Sequence, residues 1–150
     1  MSRCIAIDSN VLVALVDRRD KWHQQALALV SALKAEDAAL VYFDCVLNEA
    51  ISVMARRAQE QKRSAEFPGL LDELLRQVSE DMVTWVSVDT RRLFRQIVDL
   101  VSSTGGLLNF HDSLIVLSCR ELGIEAIASF DEDFDQIEDL VRIPGPSTTK

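Results

Sequence analysis

The chain is poor in cysteine and histidine, has no long apolar run, and carries too few cations to balance its acids. Each shortage excludes something. The three cysteines, Cys4, Cys45 and Cys119, are odd in number, far apart and never in a CxxC pair. That argues against a thiolate zinc site or a disulfide framework and leaves them as small buried apolar residues. With two histidines, His23 and His111, a mechanism built on imidazole has few candidates. No apolar run approaches the roughly 20 residues that span a bilayer. The opening MSRCIAIDSN lacks the apolar stretch and cleavage site of a secretory signal, so a cytoplasmic location is expected.

The charge shortage is the most informative. Sixteen Lys and Arg face 24 Asp and Glu, for a formal net charge of −8. Nucleic-acid binders usually contact phosphates through Lys and Arg, so the sign looks wrong for one. Either the chain binds no nucleic acid, or some acids gather around divalent cations that reverse the local sign. Where the acids fall decides between these.

What is present is an ordinary soluble domain: 150 residues, 48% hydrophobic and 27% charged, enough for one sizeable core. Ile5-Ala6-Ile7 reads as a buried strand, followed by the polar turn Asp8-Ser9-Asn10 and an apolar helix over 11–16. Residues 17–20 (DRRD) read as a solvated break. Trp22, Ala26, Leu29, Val30 and Leu33 recur at helical spacing within 21–35. Ala39–Phe43 predicts a second strand, and Asp44 a cap for a helix to about Arg57. The polar stretch 59–69, ending in Pro68-Gly69, predicts a loop, and 70–78 a helix. Residues 83–88 (VTWVSV) alternate and are β-branched, predicting a third strand. Asp89-Thr90 leads into a helix broken at 102–106. Asn109 or Asp112 opens another helix to Leu122, with Gly123 its C-cap. Residues 124–129 predict a fourth strand, 131–135 an acidic turn, and 141–143 a short last strand. The domain is taken as 1–143, with 144–150 a flexible tail. There are no repeats. Strands alternating with helices predict an α/β sandwich on a mainly parallel sheet.

In such sheets, sites form beyond the carboxyl ends of the strands, where Asp8 and Asp131 fall. Asp8 reads equally as a cap for the next helix. Glu49 sits in an apolar helix between Val46, Ala50 and Val53, where a bare carboxylate is costly to desolvate unless a metal or Arg offsets it. It reads otherwise as an exposed helix acid. Asp112 opens an apolar helix as a ligand or as a dipole partner. Asp131 precedes Asp133 and Asp135 in a run that reads as a site or as a solvated turn. The DxDxDG spacing of a calcium loop is missing. Taken together, these oxygen donors suit hard cations such as Mg²⁺ or Mn²⁺, which would relieve their mutual repulsion. Two such ions would fit the two-metal scheme for phosphodiester cleavage.

Over nearly its whole length the chain resembles the PIN-domain nucleases, and within them the VapC-like toxins of type II toxin–antitoxin systems. IAIDSNVLVAL resembles the opening strand and first metal acid, WHQQALAL the next helix, and LNEAISVMARR the helix with the second acid. NFHDSLIVLSCRELGIEAIASFDEDFDQI is the most specific block, an acid opening a helix, then Gly, a strand, and Ser shortly before Asp-x-Asp-Phe. The resemblance implies a three-layer α/β/α sandwich with four or five strands. It implies that Asp8, Glu49, Asp112 and Asp131 form the metal site, with Asp133 an outer ligand. Ser129 would order the site or contact phosphate, and Asn10 would lie near the first acid. It implies metal-assisted RNA hydrolysis, an antitoxin encoded as another protein, and a homodimer. Arg18-Arg19, Arg56-Arg57 and Arg91-Arg92 are candidate phosphate contacts, or solvated helix edges. His111 is read as a surface residue that could reach substrate, and Trp22 and Trp85 as core or interface. The competing readings are a housekeeping RNA-processing nuclease, a non-catalytic PIN-fold module, and a phosphatase-like or receiver domain. The last needs a late strand-end Lys, and none stands between Val83 and Lys150.

Overall fold

The computed structural model describes residues 2–144. Strand β1 (Cys4–Ile7) runs into helix α1 (Ser9–Val16), then α2 (His23–Ala35), β2 (Ala39–Phe43), α3 (Asp44–Glu60) and α4 (Phe67–Gln77). Strand β3 (Val83–Thr84) follows, then α5 (Thr90–Ser103), α6 (Phe110–Leu122), β4 (Ala126–Ala128) and β5 (Val141–Ile143). All five strands are parallel, in the order β3-β2-β1-β4-β5.

That order explains the layers. The chain steps one way from β1 to β3, then jumps back to β4. Parallel crossovers are right-handed, so reversing direction puts the connecting helices on the opposite face. Helix α1 accordingly packs on α2, α3 and α4, while α5 packs on α6. The sheet lies between these two groups, as a three-layer sandwich requires. The direction reverses between β1 and β4, and a parallel sheet opens a crevice there.

Central β1 is buried at Ile5, Ala6 and Ile7, so its sequence is continuously apolar rather than alternating. Helix α1 is buried from Val11 to Val16, which explains why SNVLVALV is apolar all round. This helix, held on every side, carries the crevice residues at its start. Gly123 ends α6 in the left-handed region (φ 69°), as its expected role as C-cap requires.

Several local expectations change. The third strand is two residues, not six. Its continuation is intercepted by Asp44, whose carboxylate accepts the Val86 N–H (2.7 Å) and Ser87 N–H (3.2 Å) and turns the chain into a 3₁₀ segment. Asp44 therefore does not cap α3 with its side chain. The loop predicted over 59–69 is mostly ordered structure, because α3 runs to Glu60 and α4 begins at Phe67 with Pro68 in its first turn. The break at 17–20 is solvated only at Arg18 and Arg19. Asp17 is buried against Arg63 (3.0 Å), and Asp20, whose side chain is 5% exposed, pairs with Arg57 (2.7 Å). Trp85 is 58% exposed and Trp22 37%, so neither is a core residue. Cys4 is exposed, whereas Cys45 and Cys119 are buried as expected. The tail beyond Pro144 lies outside the described residues.

Candidate active site

Asp8 stands at the crevice because the β1–β4 ladder extends one residue past β1. Its N–H donates to the Ala128 carbonyl at 3.0 Å. The side chain is almost fully buried. Oδ1 accepts the Ser9 N–H at 2.7 Å, and Oδ2 accepts the Ser129 hydroxyl at 2.6 Å. The Ser129 Oγ in turn accepts the Asp131 N–H (3.0 Å) and the Asn10 side-chain amide (3.3 Å). A hydroxyl has one proton and two lone pairs, so Ser129 is saturated within the protein. It orders the site and has nothing left for phosphate. Asn10 closes the link by accepting the Phe130 N–H at 3.2 Å. The ends of β1 and β4 are thus tied by side chains as well as by the ladder.

Asp112 lies in the first turn of α6. Asn109 caps that helix, accepting the Asp112 N–H at 2.8 Å, while Asp112 Oδ2 accepts the Asn109 N–H at 3.4 Å. The reciprocal box holds the carboxyl in place through one oxygen and leaves the other open. Capping and site duties are therefore compatible in one residue. Asp131 caps a short 3₁₀ turn by accepting the Asp133 N–H at 2.9 Å. Glu49, on α3, is only partly exposed, and its Oε2 is buried with no hydrogen-bond partner among the described residues. The nearest cation-forming group is His111 Nε2 at 3.7 Å, but that nitrogen already faces the Cys45 carbonyl.

Asp8, Glu49, Asp112 and Asp131 line one cavity of about 460 Å³, together with Asn10 and Asn109. Its other wall carries Asp20, Lys21, Trp22, Arg56 and Arg57. Asp133 and His111 lie outside the lining; His111 adjoins Asp112, and Asp133 donates its N–H to Asp131. Burial lifts the Asp8 carboxyl to about 6 against the lowering pull of its Ser129 and Ser9 hydrogen bonds, and the charges of Glu49 and Asp131 add to the rise. Burial, then the Asp8 charge, lifts Asp112 to about 7. Asp133 is also raised, by desolvation and then by Asp131. Such shifts in a cleft mark groups whose ionised form lacks a counter-charge. Among the described residues, no three carboxylate, imidazole or thiol groups stand close enough to close on one ion.

The PIN domain family model matches residues 5–140. The chain belongs to the PIN domain family. Its fold matches the crystal structure of the Mycobacterium tuberculosis toxin VapC20, which cleaves the sarcin–ricin loop, with a TM-score of 0.68 at 21% identity. The match covers 89% of this chain and 95% of that one. No curated protein is matched by the sequence.

Sequence reasoning about this PIN domain missed part of the cavity wall. Asp20 was read as part of a solvated break, Lys21 as the start of a helix and Trp22 as core or interface, because nothing local distinguishes them. Of the three arginine pairs, one lines the cavity, Arg56-Arg57. Arg92 is engaged by Asp89 and Glu121. Arg18 and Arg19 line a separate cleft of about 470 Å³ at the far end of α1, beside the Asp17–Arg63–Glu66 ion pairs. The signal for Lys21 and Trp22 lay in an aromatic next to the Asp17–Asp20 break, where the chain returns toward Asp8.

Proposed function

We propose that this PIN protein is a Mg²⁺- or Mn²⁺-dependent endoribonuclease that hydrolyses RNA phosphodiester bonds. We assign Asp8, Glu49, Asp112 and Asp131 to the metal and Asp133 to its outer sphere. The observation that carries this reading is the shared cavity, which Asp8, Glu49, Asp112 and Asp131 all line and in which Glu49 Oε2 has no hydrogen-bond partner among the described residues. A carboxylate oxygen buried without a donor costs free energy, and a hard cation offsets that cost. The donor set is all oxygen, which fits Mg²⁺ or Mn²⁺ and not a soft metal.

The bound cation supplies Lewis acidity toward water and the phosphoryl group. The chain's own residues prepare the setting. Ser129, through Asp8 and the Asp131 amide, fixes the separation of the two strand-end acids. The capping box fixes Asp112 on α6. Asp8 and Asp112 must both be ionised to bind the cation, so their raised pKa values in the metal-free protein make cation binding weaken as pH falls through about 7 and 6.

VapC20, which shares the fold, is a toxin that cleaves RNA. That likeness supports reading this chain as the toxin of a toxin–antitoxin pair, acting in the cytoplasm, inhibited by a separate antitoxin protein and working as a homodimer. The test is cleavage of total RNA with Mg²⁺, Mn²⁺ or EDTA by wild type, Asp8→Asn and Asp112→Asn. Metal-dependent cleavage lost in both variants is expected. Absence of cleavage with either metal, or undiminished cleavage by the variants, rejects the reading. Growth arrest on expression, relieved by the product of a neighbouring small gene, separates a toxin from a housekeeping nuclease.

A further inference from the structure

The lining of the acidic cavity contains one aromatic among the described residues, Trp22, and it is exposed. Its indole lies stacked on Phe130, with ring centroids 4.8 Å apart and planes 13° from parallel. Phe130 immediately precedes Asp131 and packs against the core, while its backbone N–H is held by Asn10. The stack therefore fixes the indole relative to the acidic site itself. Lys21 Nζ lies 5.4 Å from the indole centroid. Arg57 is committed to Asp20, but neither Lys21 nor Arg56 has an ion-pair partner among the described residues, although acids surround both. The base of this wall is rigid as well, since the Asp20 carboxylate also accepts the Trp22 N–H at 2.8 Å.

We propose that Trp22 is a stacking platform for an unpaired RNA base next to the scissile phosphate, with Lys21 and Arg56 contacting the neighbouring backbone phosphates. The proposal rests on the nuclease reading above. An exposed indole already oriented by Phe130 loses little freedom when a base stacks on it, and every base offers a π face. Free cations beside it suit the phosphates on either side of that base. The arrangement selects single-stranded over paired RNA, because a base inside a duplex has no free face to offer. Trp22 in this role is a positioning residue, since it touches substrate away from the reacting atoms.

The test uses intrinsic fluorescence of the full chain carrying Trp85→Phe, so that Trp22 is the one indole. A short single-stranded oligoribonucleotide is titrated with Ca²⁺ in place of Mg²⁺, which separates binding from cleavage. The emission is expected to be quenched on binding. Trp22→Ala, followed by a labelled oligonucleotide, should bind roughly tenfold or more weakly, the scale of one lost base stack. Trp22→Phe should recover most of that loss and Trp22→Leu little of it. In the cleavage assay Trp22→Ala should raise KM far more than it lowers kcat, with Mn²⁺ affinity unchanged. Equal binding by Trp22→Ala and wild type overturns the platform while leaving the nuclease reading intact, as does equal rescue by Leu and Phe. A wild type that binds no RNA overturns both.

Discussion

Replacing Asp112 by Asn should stabilise the metal-free protein at pH 8 while abolishing its activity. The carboxyl titrates at about 7 in the folded chain against an ordinary 3.8. A carboxyl whose folded pKa is raised favours folding fully below pH 3.8, and that contribution is lost as pH rises through about 7. At pH 8 wild type therefore holds an unwelcome charge that Asn does not. At about 1.4 kcal/mol for each tenfold change in the proton equilibrium, a rise from 3.8 to about 7 corresponds to about 4 kcal/mol. Part of the carboxyl is solvated, so screening reduces this to about 2 kcal/mol. Asn keeps an oxygen for the Asn109 N–H, so the capping box survives. For a chain of this length, ~2 kcal/mol is a rise in Tm of roughly 4–8 °C. The assay is urea unfolding in EDTA at pH 8 and again near pH 4, where the advantage should vanish. The reasoning is refuted if Asp112→Asn is no more stable than wild type at pH 8, or if its advantage is the same at both pH values.

Adding Mg²⁺ or Mn²⁺ should raise Tm more at pH 8 than at pH 5.5, because Asp8 and Asp112, with pKa values of about 6 and 7, must lose protons to bind; differential scanning fluorimetry at both pH values reads this, and a pH-independent gain would contradict it. Ser129→Ala leaves Asp8 Oδ2 and the Asp131 N–H without their shared partner, which should cost about 1–3 kcal/mol in urea unfolding and move the acid limb of the pH–rate profile upward. Arg63→Ala strands Asp17 as a buried charge and should cost about 3–5 kcal/mol. Burial raises the Asp17 pKa, but the Arg63 hydrogen bonds outweigh that and hold it below 3.8, so the cost should fade as pH drops through that range and an Arg63→Ala effect unchanged at pH 2.5 would refute the pairing.

The fold was legible because the strong patterns were undisputed locally. β1 and β4 are continuous apolar runs, and the helices α2 and α6 keep their period, α6 with a cap at each end. The same sequence misled at 83–88, since VTWVSV has strand composition throughout. What stops the strand is the Asp44 carboxylate, about forty residues earlier, and no local window contains it. The site divided along similar lines. Asp8 and Asp131 were visible because sites form beyond the carboxyl ends of a parallel sheet's strands. Glu49 needed the family resemblance, since a helix acid among apolar neighbours is common. The full use of the Ser129 hydroxyl could not be read, because its partners come from residues 8, 10 and 131. Trp22 was missed for the same reason, its stacking partner being Phe130.

The acidity that first argued against nucleic acid now makes a quantitative claim. The four acids proposed for the metal line one cavity, and when ionised together they carry charge equal to half of the net −8. Two divalent ions would neutralise them, so the surface met by RNA depends on metal before it depends on Lys and Arg. Lys21 and Arg56 line the cavity with no ion-pair partner among the described residues. Two phosphate contacts on a single strand predict a slope of log affinity against log salt of about −1.4. That is shallow for a nucleic-acid binder. Removing the metal should weaken RNA binding more than raising the salt tenfold does. Fluorescence titrations across salt, with Ca²⁺ and with EDTA, separate the two. A slope steeper than about −4 would mean that the phosphates are held by a basic surface elsewhere, and that the metal is not what reverses the sign.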